Sequence, residues 1–338
     1  MNSTEHLTRY GLVRDMLATP EIIARFDCDQ ARDVAPSLRD FQGILLTGEG
    51  SSRLFPAKSV IAHSRRRAWQ LSLATEAGRQ AEECDLTDWA VFACSNSGRT
   101  AEVVRLFTRL DDGGHMAHYC LTAFADSKLE SLVEQGWVLS CGPENAVAAT
   151  KSVVEQALFL RSLVEHAAGA PALAARRAEL AEQFRDALTT TIDPAFVERI
   201  ARAGTIYWAG RNDGVAEELT LKTNEITRKP ADFLEGTYAV HGVEEVMNAD
   251  DVLIWVDPYE ESEEKFDATL RQGVGMEIIA IAPRETRFPT IRIPDAGDLS
   301  PFVQMAAGWN VLVETGLRLG IDLDKPQRAR KVGNEFAG

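Results

Sequence analysis

Two short segments rich in glycine and hydroxyl residues are the first places where side-chain types and spacing could do chemistry. One is TGEGSSR, Thr47 to Arg53, which closes an apolar run and leads into a helix-period stretch with Pro56 near its start. Ser51 and Ser52 would stand at that helix N-terminus, where backbone N–H groups and hydroxyls can hold an anion; the plainer alternative is a serine N-cap, worth about 1 kcal/mol. The other is CSNSGRT, Cys94 to Thr100, again at the end of an apolar run. Ser95, Ser97 and Thr100 offer hydroxyls, Gly98 lets the backbone approach closely, and a helix beginning near Ala101 adds free N–H groups and its dipole. A small anion would fit between two such loops. Further along, Lys222 and Glu225 are three apart on one helix face. They form either a surface ion pair worth a few tenths of a kcal/mol or a proton-accepting carboxylate beside a fixed positive charge.

The elements that must position these residues follow from the apolar pattern. Strand-like runs lie at Gly43 to Thr47, Ala90 to Cys94, His118 to Thr122, Trp137 to Ser140, Thr205 to Ala209, Val252 to Val256, Glu277 to Ile281 and Thr290 to Ile293. Helix-period stretches alternate with them: Glu5 to Ala18, Pro56 to Gln70, Arg99 to Leu110, Lys151 to His166, Gly214 to Thr227, Glu261 to Arg271 and Pro301 to Leu319. This is the alternation of an α/β fold with parallel sheets covered on both faces, and both hydroxyl loops leave carboxyl ends of strands, where ligands bind in such sheets. The glycine turns and strands recur at an offset of about 160 residues, the mark of an internal duplication. The boundary is expected among the Ala-rich charged helices from Gly169 to Ala203. The second copy has VDPYEES, Val256 to Ser262, where the first has hydroxyls, so one anion site per chain is expected, in the first domain.

Composition excludes several classes. Across 338 residues, 36 Lys and Arg face 51 Asp and Glu, a net charge of −15 that disfavours nucleic acid and anionic membrane surface. Apolar runs fall far short of the roughly 18 residues of a spanning helix, so no membrane contact is expected. Met1 to Arg9 is polar, without the apolar region of a signal peptide, and a cytoplasmic location is expected. TGEG lacks a third glycine, which is replaced by Arg53, and no acidic residue follows at the ribose position, so NAD is not expected. No P-loop occurs. Cys28, Cys84, Cys94, Cys120 and Cys141 are odd in number and never form C-x-x-C, and His115 and His118 stand alone; reduced thiols, no metal and no cofactor are expected.

Together these motifs resemble the sugar isomerase (SIS) family, in particular double-SIS proteins related to the isomerase half of glucosamine-6-phosphate synthase. GEGSS and SNSGRT are similar to its two phosphosugar loops. GPENAVAATKS, Gly142 to Ser152, resembles the segment closing the first domain; ELTLKTNEIT, Glu218 to Thr227, resembles the catalytic helix; His241 and Gly242 follow at the family spacing; KPQRARKV, Lys325 to Val332, resembles the tail that folds over the sugar. The resemblance implies two tandem SIS domains, each a flavodoxin-like three-layer sandwich: residues 1–168 with the anion loops and N-terminal helix, residues 169–338 with the catalytic helix, the His-Gly loop and the tail. It implies an anion held by Ser52, Ser95, Asn96, Ser97 and Thr100, with Ser51, Arg99 and Glu144 also against the substrate. Glu225 falls at the base that moves a proton between carbons 1 and 2, His241 at the ring-opening histidine contributed by a neighbouring subunit, and Lys222 and Lys331 at the lysines that contact the sugar. Unaided, His241 reads equally as a capped or core histidine, and Lys331 as a solvated tail residue.

The expected activity is that of an aldose–ketose isomerase acting, by ring opening and enediolate proton transfer, on a hexose with an anionic group at carbon 6, phosphate first. The alternatives are an isomerase of a 6-sulfonated sugar such as sulfoquinovose, an amino-sugar-6-phosphate deaminase or fructosamine-6-phosphate deglycase, and a non-catalytic sugar-phosphate sensor. Arg53 and Arg99 add positive charge beside the anion and keep sulfonate open. Ala149 stands where the synthase has a hydroxyl, and HGVEE, with Glu245, departs from the usual His-Gly-Pro towards deglycase-like relatives. No glutaminase domain or helix-turn-helix is read in these residues, so glutamine-dependent synthesis and DNA binding are not expected. The expected partners are the anionic sugar and a second copy of the chain, with higher assembly left open.

Overall fold

A computed structural model describes Met1, residues 4–144 and residues 146–336; Asn145 of the Gly142 to Ser152 segment lies outside the described residues. The first sheet is built from β1 (Gly43–Thr47), β2 (Leu73–Ala74), β3 (Trp89–Ser95), β4 (His118–Thr122) and β5 (Gln135–Val138), in the order β2-β1-β3-β4-β5. The second contains β6 (Ile206–Gly210), β7 (Ala231–Glu235), β8 (Val252–Val256), β9 (Glu277–Ala282) and β10 (Thr290–Arg292). Read from β7, its order is β7-β6-β8-β9-β10, the same as in the first sheet. Every pairing in both is parallel. The central strands β1, β6 and β8 are buried at every position, which explains their unbroken apolar runs. The two strands absent from the sequence reading, β2 and β7, are edges: one has two residues, and the other carries exposed Asp232 and Glu235.

In each sheet the chain reverses its direction of winding between the first and third strands, β1 and β3 or β6 and β8. That switch point opens a crevice at the carboxyl ends of those two strands. β1 and β3 run in register from Gly43 opposite Trp89 to Thr47 opposite Ala93, which sets the two hydroxyl loops side by side. The first core gathers Leu45, Val91, Val104, Phe107 and Leu129; the second gathers Leu253, Trp255, Phe266 and Ile278, with Trp255 stacked on Phe266.

The chain divides into two units, one around each sheet. One comprises Glu21–Glu144, Ala149–Ala178 and the tail from Arg328; the other comprises the N-terminal residues to Pro20, a short stretch ending at Ala148, and Glu179–Gln327. The crossover from one unit to the other falls inside the helix Leu173–Thr189. Capping ties the N-terminal residues into the second sheet's unit: Asp324 accepts hydrogen bonds from the N–H groups of Gly11 and Leu12, at 2.6 and 2.9 Å, at the start of the helix Gly11–Arg25. All five cysteines are free thiols, with Cys28, Cys94 and Cys120 buried. Among the described residues no helix is long and apolar enough to cross a membrane.

Candidate active site

In the first unit, β3 ends in the buried Ser95, and the loop beyond it folds around its own hydroxyls. The Gly98 N–H donates to Ser95 Oγ at 3.1 Å, the Arg99 N–H donates to Ser97 Oγ at 3.1 Å, and the Ser95 and Thr100 hydroxyls lie 3.3 Å apart. Gly98 has φ of +61°, and a Cβ there would lie 2.3 Å from Ser127 Oγ, so this turn requires glycine. After β1 the chain makes the tight turn Gly50–Ser52, with Ser51 and Ser52 half-buried and Ser52 Oγ accepting from the buried Gln156 amide at 3.4 Å.

Glu144 lies beneath these loops with its side chain fully buried. Its carboxylate accepts from the Thr150 N–H at 2.7 Å, the Ser152 N–H at 3.2 Å, the Ser152 hydroxyl at 2.8 Å and Asn96 Nδ2 at 3.3 Å, and pairs with Lys331 at 3.2 Å. Burial pushes its pKa up, but the Lys331 charge and these hydrogen bonds outweigh burial and hold it below the usual carboxylate range. The tail continues past Lys331 and pairs antiparallel with the loop, Glu335 opposite Thr100. The Ala101 N–H donates to Asn334 O at 3.0 Å, the Phe336 N–H donates to Arg99 O at 2.9 Å, and Arg99 pairs with Glu335 at 3.2 Å. Arg53 acts on Glu49, whose pKa is raised by burial and by the charge of Glu102. Both added positive charges of the sequence reading therefore have carboxylates near them.

In the second unit the helix Val215–Thr227 begins after Asp213, whose carboxylate accepts from the Val215 N–H at 3.3 Å. Its buried stripe runs through Val215, Leu219, Lys222, Thr223 and Ile226, and Thr223 Oγ1 accepts from Trp208 Nε1 of β6 at 2.7 Å. Lys222 has no exposed side-chain surface. Its Nζ lies 2.6 Å from Glu225 Oε2 and 3.2 Å from Glu218 Oε1; the Glu225 side chain is 23% exposed, whereas that of Glu218 is fully buried. Burial pulls the Lys222 pKa down, and the two carboxylates outweigh it, leaving the ammonium more firmly protonated than an ordinary lysine. The surface-pair alternative does not apply. His241 is exposed after the turn Tyr238–Val240, with Nε2 3.4 Å from Thr237 Oγ1, and is followed by Gly242 at φ of +106°. At this sheet's own switch point Arg211 pairs with Asp257 at 2.6 Å and lies over the Tyr259 ring, so an internal ion pair stands where the first sheet has hydroxyl loops.

The structure thus groups Ser95, Asn96, Ser97, Arg99, Thr100, Glu144 and Lys331 in one unit, with Ser51 and Ser52 on the adjacent loop. Glu218, Lys222 and Glu225 are grouped in the other unit, which also carries His241. Among the described residues no cluster of His, Cys, Asp or Glu is arranged to hold a metal ion.

No protein-family model and no curated protein matches the sequence. Solved structures do match. The C-terminal domain of glucosamine-fructose-6-phosphate aminotransferase from Francisella tularensis superposes with a TM-score of 0.79 at 16% identity, covering 96% of this chain and 100% of that one. The chain has the double-SIS fold. Tagatose-6-phosphate ketose/aldose isomerase from Escherichia coli matches at a TM-score of 0.78 and 17% identity, over 97% of this chain and 100% of that one. Glucosamine-6-phosphate deaminase from Thermotoga maritima matches at 0.74 and 18%, over 95% and 99%. Within this double-SIS chain, sequence reasoning passed over Glu218, Gln156 and Glu335. Glu218 was legible, since it lies four residues before Lys222 on the same face; Gln156 and Glu335 meet their partners only through the fold.

Proposed function

We propose that the chain interconverts the aldose and ketose forms of a hexose carrying phosphate on carbon 6. The observation that carries this reading is a lysine with no exposed side-chain surface, 2.6 Å from a carboxylate that stays partly open to solvent. In the open-chain aldose, ionised Glu225 takes the proton from carbon 2, and the carbonyl π electrons move onto O1. Lys222 stabilises the resulting enediolate. Glu225, now a carboxylic acid, returns the proton to carbon 1, while the carbon-2 hydroxyl proton passes to O1; the ketose forms and Glu225 is again a carboxylate. In this reading Ser52, Ser95, Asn96, Ser97 and Thr100 hold the phosphate, Lys331 contacts the sugar and Glu144 fixes Lys331. His241 opens the ring in a neighbouring copy's site, and the exposed Tyr238 and Val246 in its segment are apolar surface that a second copy would cover.

The E. coli and T. maritima neighbours carry the names of 6-phosphosugar enzymes, one an isomerase and one a deaminase. Phosphate is preferred to sulfonate because both of these neighbours are named for 6-phosphosugars.

The test is an NMR time course in deuterated water with hexose 6-phosphates, glucosamine and fructosamine 6-phosphates, and sulfoquinovose. A hexose 6-phosphate should give its ketose or aldose partner, and Glu225→Gln should slow this by about 1,000-fold while leaving phosphate binding near normal. Release of ammonia or an amino acid would instead make the chain a deaminase or deglycase. Line broadening without turnover would make it a sensor.

A further inference from the structure

We propose that Gln156, buried in the helix Lys151–Ala168, is a positioning residue of the anion crevice: its side-chain amide holds the Ser52 hydroxyl as a hydrogen-bond donor to the phosphate. This rests on the phosphosugar reading and extends it to a residue outside the expected site. Gln156 has no exposed surface, and its Nε2 donates to Ser52 Oγ at 3.4 Å. Its Oε1, equally buried, has no hydrogen-bond partner among the described residues. Stability does not account for such a side chain. A buried amide with an unpaired carbonyl is destabilising, and an apolar residue of similar volume would be neutral or better.

What the amide supplies is direction. A serine hydroxyl carries one proton and two lone pairs, so it can meet a ligand as donor or as acceptor. An N–H aimed at Oγ occupies a lone pair and turns the O–H elsewhere, and an ionised phosphate offers only acceptors to receive it. The loop after β3 is built in the same way: Ser95 Oγ accepts from the Gly98 N–H and Ser97 Oγ from the Arg99 N–H, each at 3.1 Å. Of the two protons that Ser95 and Thr100 carry, one bridges their 3.3 Å separation and the other is left for a ligand. Backbone N–H groups set the polarity of Ser95 and Ser97, whereas at Ser52 a side chain does so, which makes Gln156 the point where substitution can change the donor array. With the amide turned over, Oε1 would take the Ser52 proton and withhold it from a ligand. The Nε2 donors would then be left in the core, where unpaired N–H groups are rarer than unpaired carbonyls.

Calorimetric titration of the full chain with inorganic phosphate tests this. Gln156→Met keeps the side chain unbranched and close in volume, so it should melt at or above the wild-type temperature, because the unpaired carbonyl leaves with the amide. Its phosphate affinity should nevertheless fall about fivefold to tenfold. A cycle with Ser52→Ala separates positioning from packing: Ser52→Ala should weaken phosphate by a similar factor, and adding Gln156→Met to it should change the affinity by less than about twofold. Equal affinity in wild type and Gln156→Met, or losses that multiply in the double variant, overturns the proposal and leaves the anion crevice standing. Wild type without phosphate affinity condemns the crevice itself, and the proposal with it. Should Gln156→Met not fold, Gln156→Leu removes the same amide and is judged by the same outcomes. With a hexose 6-phosphate that wild type turns over, Gln156→Met should raise KM about tenfold with kcat within about threefold, because phosphate is held alike in ground and transition states. A lowered kcat at unchanged KM would place Gln156 in the chemistry instead and overturn the proposal.

Discussion

Glu144 shows how one residue can serve fold and site together. Its carboxylate caps the helix Lys151–Ala168 through the Thr150 and Ser152 N–H groups and holds Lys331 at 3.2 Å. Because the folded-state pKa is depressed, the stabilisation is present above the ordinary carboxylate pKa and is lost as pH falls through the folded value. Glu144→Gln should therefore cost about 2 kcal/mol at pH 7, and the gap from wild type should narrow in acid. Melting curves from pH 7 to pH 3 check this, and a gap independent of pH would mean that shape, not charge, matters. Charge was only half legible in the sequence at this scale. Lys222 reads as a surface partner of Glu225 when the pair is viewed alone. In register with Val215, Leu219 and Ile226 it occupies a core position, and a lysine there is the stronger signal. Glu144, by contrast, owes its partners to a turn and a tail that no spacing brings together.

At the scale of elements, the long apolar strands were legible because burial on both faces leaves few polar residues in them. Edge strands were not: β2 is too short for a pattern, and β7 mixes acidic and apolar residues. Helix ends drifted for local reasons. The stretch expected as one helix from Glu5 to Ala18 breaks into Glu5–Thr8 and Gly11–Arg25, the second running on through Pro20, and the stretch expected as one helix from Glu261 to Arg271 becomes a short helix followed by the π-helical segment Asp267–Val274. The least legible element was the tail strand. By giving the Asn334 carbonyl to the Ala101 N–H and Glu335 to Arg99, it occupies donors at the start of the helix Ala101–Asp112 that would otherwise face an anion. Ending the chain at Gly333 should tighten inorganic phosphate binding about threefold to tenfold, since one N–H and one guanidinium are released. Calorimetric titration of both proteins checks this. Equal affinities would mean that phosphate uses neither donor.

For the whole molecule, duplication was visible as a repeat of glycine turns and strands, and both sheets share one order. Their switch points differ as the loops predicted: hydroxyls and N–H groups in the first, the Arg211–Asp257 ion pair in the second. The Asp324 contacts with Gly11 and Leu12 were hidden, because they span almost the full sequence and no spacing announces them. They bear on how the chain can be cut. Leu12, Val13 and Met16 have no exposed surface and belong to the second sheet's unit. Each contributes about 1.5–3 kcal/mol by burial, against a typical domain stability of about 5–15 kcal/mol. A fragment of residues 169–338 should therefore melt without a cooperative transition, and adding a peptide of residues 1–25 should restore one. Fragment 1–168 should not restore it as well as that peptide, because its own sheet lacks the tail and Ala170–Ala178. Circular dichroism melts of the three mixtures decide the matter: a cooperative transition in 169–338 alone, unmoved by the peptide, would show that the first twenty residues are dispensable to the second unit.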